Sequence, residues 1–586
     1  MAIYTYRTLY QEVRRLHKDF WKTNIYGLIG TLLLLPVPIF FPFLIDEVLL
    51  AHPGKLTHYL WPLTGGSIWV MVLIVFIIVM GLRIVAFVIN NKKSFYATKI
   101  SQHIAYRLRV QILEHLKRVS MREYEVLRSG AITTKTLQDV ETLASFASSA
   151  VTTALSAGVM LLGITIILIS MNWMLALLIL LLNPFVVLFS KILGRKVAKL
   201  LKQKHEAYQI YQEMIHETIE LFVQVRASNR EEHFFECLKT YAKRIEESSI
   251  SFGYQASVVR SASTLMVMGM TDIVRALGII AVAYSDLTLG MMIAFLFYLS
   301  TLSTPIQQLM GLILHYQRTE PALERINTLL TLEREPDHPT QVNPFSQKGS
   351  VSIEMKDISF GYLADHEILH SVSLYASEGE TIALIGKSGS GKTTLAQLLV
   401  GFYQPWKGQI YYGSTPITSI GLTCVREHVS YMLQQTLFFN DTVRMNLTLE
   451  RDFSDEQIWK ALEEAQLDTF VGALPEGLDT RIGKNGIRLS GGQRQRLAIA
   501  RLILSDPQVV IFDEATSALD NSTEYALYET LAPFLRGRTV IIIAHRTMTI
   551  KQADRIYVID NGHVKAEGTY ESLSEKGMIV EDFDVS

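Results

Sequence analysis

Apolar positions in this chain first gather into long runs and later break into short ones. Six runs approach or exceed the roughly 20 residues a helix needs to cross a bilayer: about 25–50, 68–90, 149–171, 174–190, 257–284 and 290–312. Only Asn172-Trp173 separates the third from the fourth, which predicts a tight hairpin. The first run carries Pro36, Pro38 and Pro42, which lack backbone donors and should kink it. Upstream, Tyr6, Leu9, Tyr10, Val13, Leu16 and Phe20 recur at helical spacing, with Arg7, Arg14, Arg15 and Lys18 between them. That pattern predicts an elbow helix over 4–20 lying in the membrane surface.

Two polar stretches, 91–148 and 191–256, interrupt the runs with few turn signals. In the first, Ile100, Ile104, Leu108, Ile112 and Leu116 stand four apart, as on a helix that buries one face. Each stretch, folded as two antiparallel arms of about 25–30 residues, would project roughly 40 Å beyond the membrane. The pattern then changes. Pro336, Pro339, Pro344 and Gly349 mark Glu333–Ser350 as a linker. Beyond it, short apolar strands alternate with helical segments. The expected division is a helical membrane domain over 1–332, a linker over 333–350 and an α/β domain over 351–586.

Lys and Arg set the expected orientation. Arg7, Arg14, Arg15, Lys18 and Lys22 precede the first run; Lys55 alone follows it, and the later outside loops have none. Both long polar stretches are rich in them. The positive-inside rule therefore places both termini, both stretches and the α/β domain in the cytoplasm of a multi-pass protein of the cell membrane. A net charge of −1 without blocks of like charge gives no sign of a nucleic-acid partner, and none is expected. Cys237 and Cys424 form no metal or disulfide spacing. The first run is too long for a signal-peptide core and has no small-residue cleavage site after it.

The chemistry is concentrated in the second half. Thr381–Ile385 is a short apolar strand; Gly386-Lys387-Ser388-Gly389-Ser390-Gly391-Lys392-Thr393 follows, and Thr394 continues into a helix. Strand, glycine loop and helix are the context of a phosphate loop, whose N–H groups crowd around ATP phosphates. Lys392 should reach the β- and γ-phosphates, and Thr393 and Asp513 should hold Mg2+. Asp513 and Glu514 end a second apolar run, Val509–Phe512, and Leu489-Ser490-Gly491-Gly492-Gln493 stands between loop and run.

These motifs, in this order, resemble the nucleotide-binding domain of the ATP-binding cassette (ABC) family. The six runs with long cytoplasmic extensions resemble that family's exporter-type membrane domain. The implied fold is therefore an α-helical membrane domain fused to an α/β phosphate-loop ATPase, with ATP and Mg2+ as cofactors. The resemblance makes Glu514 the catalytic carboxylate that polarises water, His545 the switch histidine at the γ-phosphate and Gln434 the glutamine that senses Mg2+ and water. It makes Tyr362 the aromatic that stacks on adenine, and places Asp520 in a loop crossing a dimer interface. Leu489–Gln493 would close over ATP held by a partner chain. Coupling helices would lie near Met121–Leu127 and His216–Val223, the second reaching the partner's ATPase domain. The family's acidic loop before the signature is basic here, with Arg481 and Lys484, so Glu125 and Glu217 become its expected charge partners.

Intact Glu514 and signature imply a homodimer, with a heterodimer as the alternative. The implied activity is ATP-driven export or flipping of an amphipathic, lipidic or peptide substrate by alternating access. The alternatives are import on the same fold or ATP-gated regulation of a partner membrane protein. The other expected contacts are membrane lipid and the unidentified substrate. Asp272 and Arg275, three apart in the fifth run, are the candidate substrate residues, since charges within a membrane are costly without a role. Their alternative is a structural pair that neutralises itself.

Overall fold

The computed structural model describes residues 4–50, 67–126, 135–284, 287–336, 338–346, 349–363, 365–433, 436–483, 486–513, 529–544 and 547–578, apart from most side chains between 180 and 195 and those of residues 267 and 548. Two compact units emerge. One comprises Met1–Leu113 and Ile132–Thr331; the other comprises Glu114–Ala131 and Leu332–Ser586.

The first unit is helical. Its opening helix, Tyr6–Arg15, is capped by Thr5, whose side chain accepts the Thr8 N–H while Thr8 answers the Thr5 N–H. Leu9 and Val13 are buried. The helix stops at Leu16, so residues 17–20 of the expected elbow instead begin the first span helix, His17–Leu34. The prolines do more than kink that span. Past Pro36 it continues as a 3-10 turn (Val37–Ile39), one α-turn (Phe40–Pro42) and a π-helical stretch (Phe43–Leu49). In the 3-10 turn the Ile39 N–H donates to the Pro36 carbonyl, and the buried Tyr298 hydroxyl donates to the Leu35 carbonyl at 2.6 Å.

Five stretches among the described residues are long and apolar enough to span: His17–Leu49, Ile68–Leu116, Thr136–Met171, Glu231–Tyr284 and Leu289–Leu330. The expected fourth span lies in the continuous helix Trp173–Glu220. Asn172 makes the hairpin before it: its backbone is extended, and its side chain accepts the Leu175 N–H at 3.1 Å. Trp173–Glu220 packs along Glu231–Tyr284, and Val140–Met171 along Leu289–Leu330. Ile164, Leu168, Ile179, Phe295 and Tyr298 fill one core.

Two carboxylates fasten this unit across long sequence gaps. Asp139 takes both Arg325 Nε and Nη2, at 2.8 and 2.6 Å. Asp46, only 7% exposed, accepts the Gly290 N–H at 2.8 Å and the Thr288 hydroxyl. Thr288 is the N-cap of the Leu289–Leu330 helix, so a first-span carboxylate sits at the positive end of the sixth-span helix. A Cβ on residue 290 would come within 2.6 Å of Pro42 Cα, which is why glycine stands there.

The second unit holds two sheets. One is antiparallel, in the order β2 (Leu369–Ala376), β1 (Ile353–Phe360), β4 (Lys407–Tyr412), β5 (Thr415–Pro416). The other runs β10 (His563–Gly568), β9 (Arg555–Asp560), β3 (Thr381–Ile385), β8 (Thr539–Ile543), β7 (Val509–Asp513), β6 (Val429–Met432). Its neighbours are parallel except for β10. Strands buried on both faces read as continuous Val and Ile, and every residue of β7 and β8 is buried. Each fully buried aliphatic side chain contributes roughly 1.5–3 kcal/mol.

The segment after the second-span helix belongs to this unit. Ser120 N–H donates to the Glu333 carbonyl at 2.9 Å and Glu335 N–H to the Arg118 carbonyl at 2.8 Å, a short antiparallel ladder with Val119 opposite Arg334. A short helix, Met121–Val126, follows. Its Glu125, an expected charge partner of the basic loop before the signature, accepts the Tyr403 hydroxyl. Glu217 is exposed near the end of Trp173–Glu220, and Lys484 lies outside the described residues.

Candidate ATP site

β3 ends at Ile385, and the chain turns through the glycine loop into the helix Lys392–Leu399. Two positions need glycine. Gly386 has φ +152°, and a Cβ there would lie 2.1 Å from the Ile559 carbonyl oxygen. Gly391 has φ +104°, and its Cβ would strike Leu369 at 2.6 Å. The bare backbone thus wraps a concave loop at a helix N-terminus, which is an anion site by construction. Lys392 is 5% exposed, and its ammonium donates to the carbonyls of Gly386 and Lys387 at 2.8 and 2.9 Å. The cation is thereby held over the loop where phosphate charge would sit. The Ser390 hydroxyl is buried without a partner among the described residues, as a group waiting for a ligand oxygen would be.

β7 carries Asp513 to the same place. Its Oδ1 accepts the Thr393 hydroxyl at 3.1 Å and its Oδ2 the Tyr431 hydroxyl at 2.7 Å. Asp513 is 3% exposed. A buried carboxylate and a hydroxyl side by side are hard oxygen donors that suit Mg2+.

Tyr431 was not visible as a site residue in the sequence. It sits on β6 opposite Ile511, and this register brings its hydroxyl to the carboxylate two positions further along β7. Burial, and then the bond to Asp513, push its hydroxyl well above the ordinary tyrosine range, so it stays a donor at neutral pH. Tyr431→Phe keeps the ring and removes the donor. We expect a roughly ten- to hundredfold loss of ATP turnover and a shifted Mg2+ dependence, the scale of a hydrogen bond to a charged group. Steady-state ATPase over a Mg2+ series checks this; an unchanged curve would make Tyr431 a packing residue.

Tyr362 lies near the phosphate-loop helix. Its hydroxyl donates to Gln397 Oε1 at 2.7 Å and lies 3.1 Å from Thr394 Oγ1. Its ring stands edge-on to Phe360 and Tyr403. The expected adenine-stacking ring is therefore packed and hydrogen-bonded within its own unit. Lys387, Ser388 and Gly389 lie on the loop and are not buried, whereas Thr394 is buried in the helix.

The signature forms a helix start. Ser490 caps Gly491–Ser505 by accepting the Gln493 N–H at 3.2 Å, and Gln493 Oε1 accepts the Ser490 N–H at 2.8 Å. Leu489 is buried as the anchor. Ser490 is exposed, and open space surrounds the Cα hydrogens of Gly491. The cap is complete within the chain, yet the helix N-terminus faces outward. Gln434, Glu514, Asp520 and His545 lie outside the described residues. Asp272 and Arg275 form an exposed ion pair with each other at 2.9 Å.

Comparison with known proteins bears on the family and the fold. A family model described as "ABC transporter" matches residues 369–517, and one described as "ABC transporter transmembrane region" matches 27–306. The ATP-dependent lipid A-core flippase of Alcanivorax borkumensis is 31% identical, across 82% of this chain and 83% of its own. That of Chromobacterium violaceum is 32% identical, across 85% of both. An uncharacterised ABC transporter ATP-binding protein of Bacillus subtilis is 29% identical across 90% of this chain and 92% of its own. Among solved structures, a bacterial Atm1-family ABC exporter with ATP bound superposes with a TM-score of 0.79 at 24% identity, covering 96% of both chains.

Proposed function

The chain belongs to the ABC transporter family, and from that premise we propose that it hydrolyses ATP to export or flip a lipidic, amphipathic molecule across the inner or plasma membrane. The observation that carries this reading is the pairing of Thr393 with the buried Asp513 beside the Lys392 loop. Thr393 and Asp513 would hold Mg2+, which would neutralise phosphate charge. Lys392 and the loop N–H groups hold the phosphates, Tyr431 keeps Asp513 oriented, and Glu514 polarises the attacking water. Gln434 and His545 complete the γ-phosphate surroundings, and Tyr362, anchored on the phosphate-loop helix, is the ring proposed for adenine.

The second copy is inferred from the signature. A helix N-terminus that is capped internally yet turned outward offers its potential to an anion on another molecule. ATP between the loop of one copy and the signature of the other would stabilise a closed pair, and hydrolysis would remove that stabilisation. A groove of about 410 Å3 in the ATPase unit supports the same pairing, with walls that include Phe402, Leu437, Arg451 and Arg501. Its basic and apolar lining suits the exposed Glu217, Ile219, Glu220 and Val223 of a second copy.

The cargo class rests on two supports. The lipid A-core flippases are relatives, and the hairpin end of the fourth and fifth span helices holds an apolar cavity of about 480 Å3 lined by Leu175, Leu178, Leu277 and Ile280. Such walls suit an acyl chain. The deciding experiment is ATPase activity of the purified chain in lipid vesicles, unchanged against Glu514→Gln, across a panel of lipid-linked and amphipathic compounds. Turnover in the unchanged chain, lost at least about a hundredfold in the variant, and raised by a lipidic compound, is the expected result. No turnover in the unchanged chain would overturn the homodimeric pump.

A further inference from the structure

A helix that cradles phosphate at its front has unsatisfied carbonyls at its rear. In Lys392–Leu399 the last four carbonyls accept from the Val400, Gly401 and Phe402 N–H groups and the Tyr412 hydroxyl, and one side chain holds the next two carbonyls along the chain. Arg426 Nη2 donates to the Gly401 carbonyl at 2.9 Å, and Arg426 Nε reaches the Val400 carbonyl at 3.4 Å. The guanidinium lies 5.5 Å from the centroid of the Phe402 ring. A cation at a helix C-terminus is favourable in itself. This cation, however, is also shared: Glu335 takes Arg426 Nη1 and Nη2 at 2.9 and 2.8 Å, with both side chains about a quarter to a third exposed.

Glu335 stands where two chain segments leave the membrane half. Its N–H donates to the Arg118 carbonyl, and Arg118 follows the second-span helix Ile68–Leu116 by two residues. Glu335 itself lies five residues beyond the sixth-span helix Leu289–Leu330. The ladder is reinforced by Arg334 Nε, which meets His115 Nδ1 at 3.0 Å. A second tether joins the same two regions, since Tyr403, just past Gly401, donates its hydroxyl to Glu125. Burial, and then Glu125, push the Tyr403 hydroxyl well above the ordinary range, so that donor stays protonated.

We infer that Glu335 and Arg426 form a strap joining the rear of the phosphate-loop helix to the chain that continues the second and sixth span helices, so that Arg426 acts as a positioning residue for ATP turnover. An eight-residue helix is a rigid rod roughly 12 Å long. Phosphate charge arriving at its front shifts the rod, and the strap carries the shift to the span ends through fixed hydrogen bonds. This route lies within one chain and differs from any contact made by the signature. The inference rests on the ATP-driven reading proposed above.

The test uses the full chain in lipid, with Cys237→Ser and Cys424→Ala, and a spin label at Ser170→Cys beside the outer hairpin. Pulsed electron resonance measures the label-to-label distance in the pair, without nucleotide and after trapping with ATP and vanadate. ATP turnover, KM for ATP and melting temperature are measured on the same samples. Glu335→Gln should keep turnover within about threefold and lose at least about half of the distance change, because the helix remains capped while its link is cut. Glu335→Asp should keep the distance change, and Arg426→Gln should raise KM for ATP as well. An unchanged distance response in Glu335→Gln overturns the strap. So does a loss that follows lowered melting temperature and weakened ATP binding alone, since that describes a structural salt bridge. No response in the unchanged chain, with turnover intact, removes the alternating-access reading and the strap with it.

Discussion

Gly491→Asp should cut ATP turnover at least about a hundredfold while leaving the chain as resistant to heat as before, or more so. The two halves of that result pull against each other, which is its value. Within the chain, an aspartate in the first turn of Gly491–Ser505 faces the helix N-terminus, where a negative charge contributes about 0.3–1 kcal/mol. It meets no steric obstacle, because a Cβ there touches nothing within 4 Å. The Ser490–Gln493 capping box needs no change. A purely structural signature would therefore tolerate or welcome the substitution. A signature that receives the γ-phosphate of a partner's ATP cannot, because the added carboxylate repels it at short range. Turnover and a melting curve on one preparation decide the matter. Gly491→Ala is the control, adding bulk without charge. Full activity in Gly491→Asp would remove the signature from the ATP site.

Asp513→Asn carries the second large effect. Asparagine is nearly the same shape, and its carbonyl oxygen can still accept from Thr393 or Tyr431, so the buried end of β7 should fold as before. What disappears is the negative charge facing the phosphate loop. ATP turnover should fall at least about a hundredfold, in line with the loss of a preorganised electrostatic partner. ATP binding supplies the sharper signature. In the unchanged chain, Mg2+ should tighten ATP binding and chelator should weaken it; in Asp513→Asn the two conditions should give nearly the same affinity. A variant that keeps its Mg2+ response would place the metal elsewhere. Equal binding with wild-type turnover would deny Asp513 any part in the chemistry.

What could be read from the sequence was what is local. A phosphate loop requires glycines at fixed steps because backbone must approach phosphate, so Gly386 and Gly391 announce themselves without a fold. Span helices show as apolar length, and the Asn172 hairpin shows as the gap between two runs. Partnerships between distant residues did not show. Tyr431 meets Asp513 only because β6 and β7 align in register, 82 residues apart. Nor did the bond from the Tyr403 hydroxyl to Glu125, 278 residues away, show in the sequence. The segment after the second span was grouped with the membrane half because it lies between two spans. Its backbone bonds with Glu333 and Glu335 place it with the ATPase unit. The elbow and first span divided at Leu16, where apolar spacing continues straight through and only the cap geometry marks a boundary.

Asp46 also bears on the order in which the protein is made. Its partner Thr288 is 242 residues later in the chain. At about 5–20 residues per second, a ribosome needs on the order of 10 to 50 s to reach it. Throughout that interval the first span waits in the bilayer with a carboxylate whose bonding groups do not yet exist. An unmatched acidic group at depth costs up to about 2.5–3.5 kcal/mol on insertion scales, so the early bundle has reason to stay loosely packed or to keep that end wet. Closure of this end of the span bundle is thus a late event in biosynthesis, scheduled by the arrival of the last span rather than by the insertion of the first.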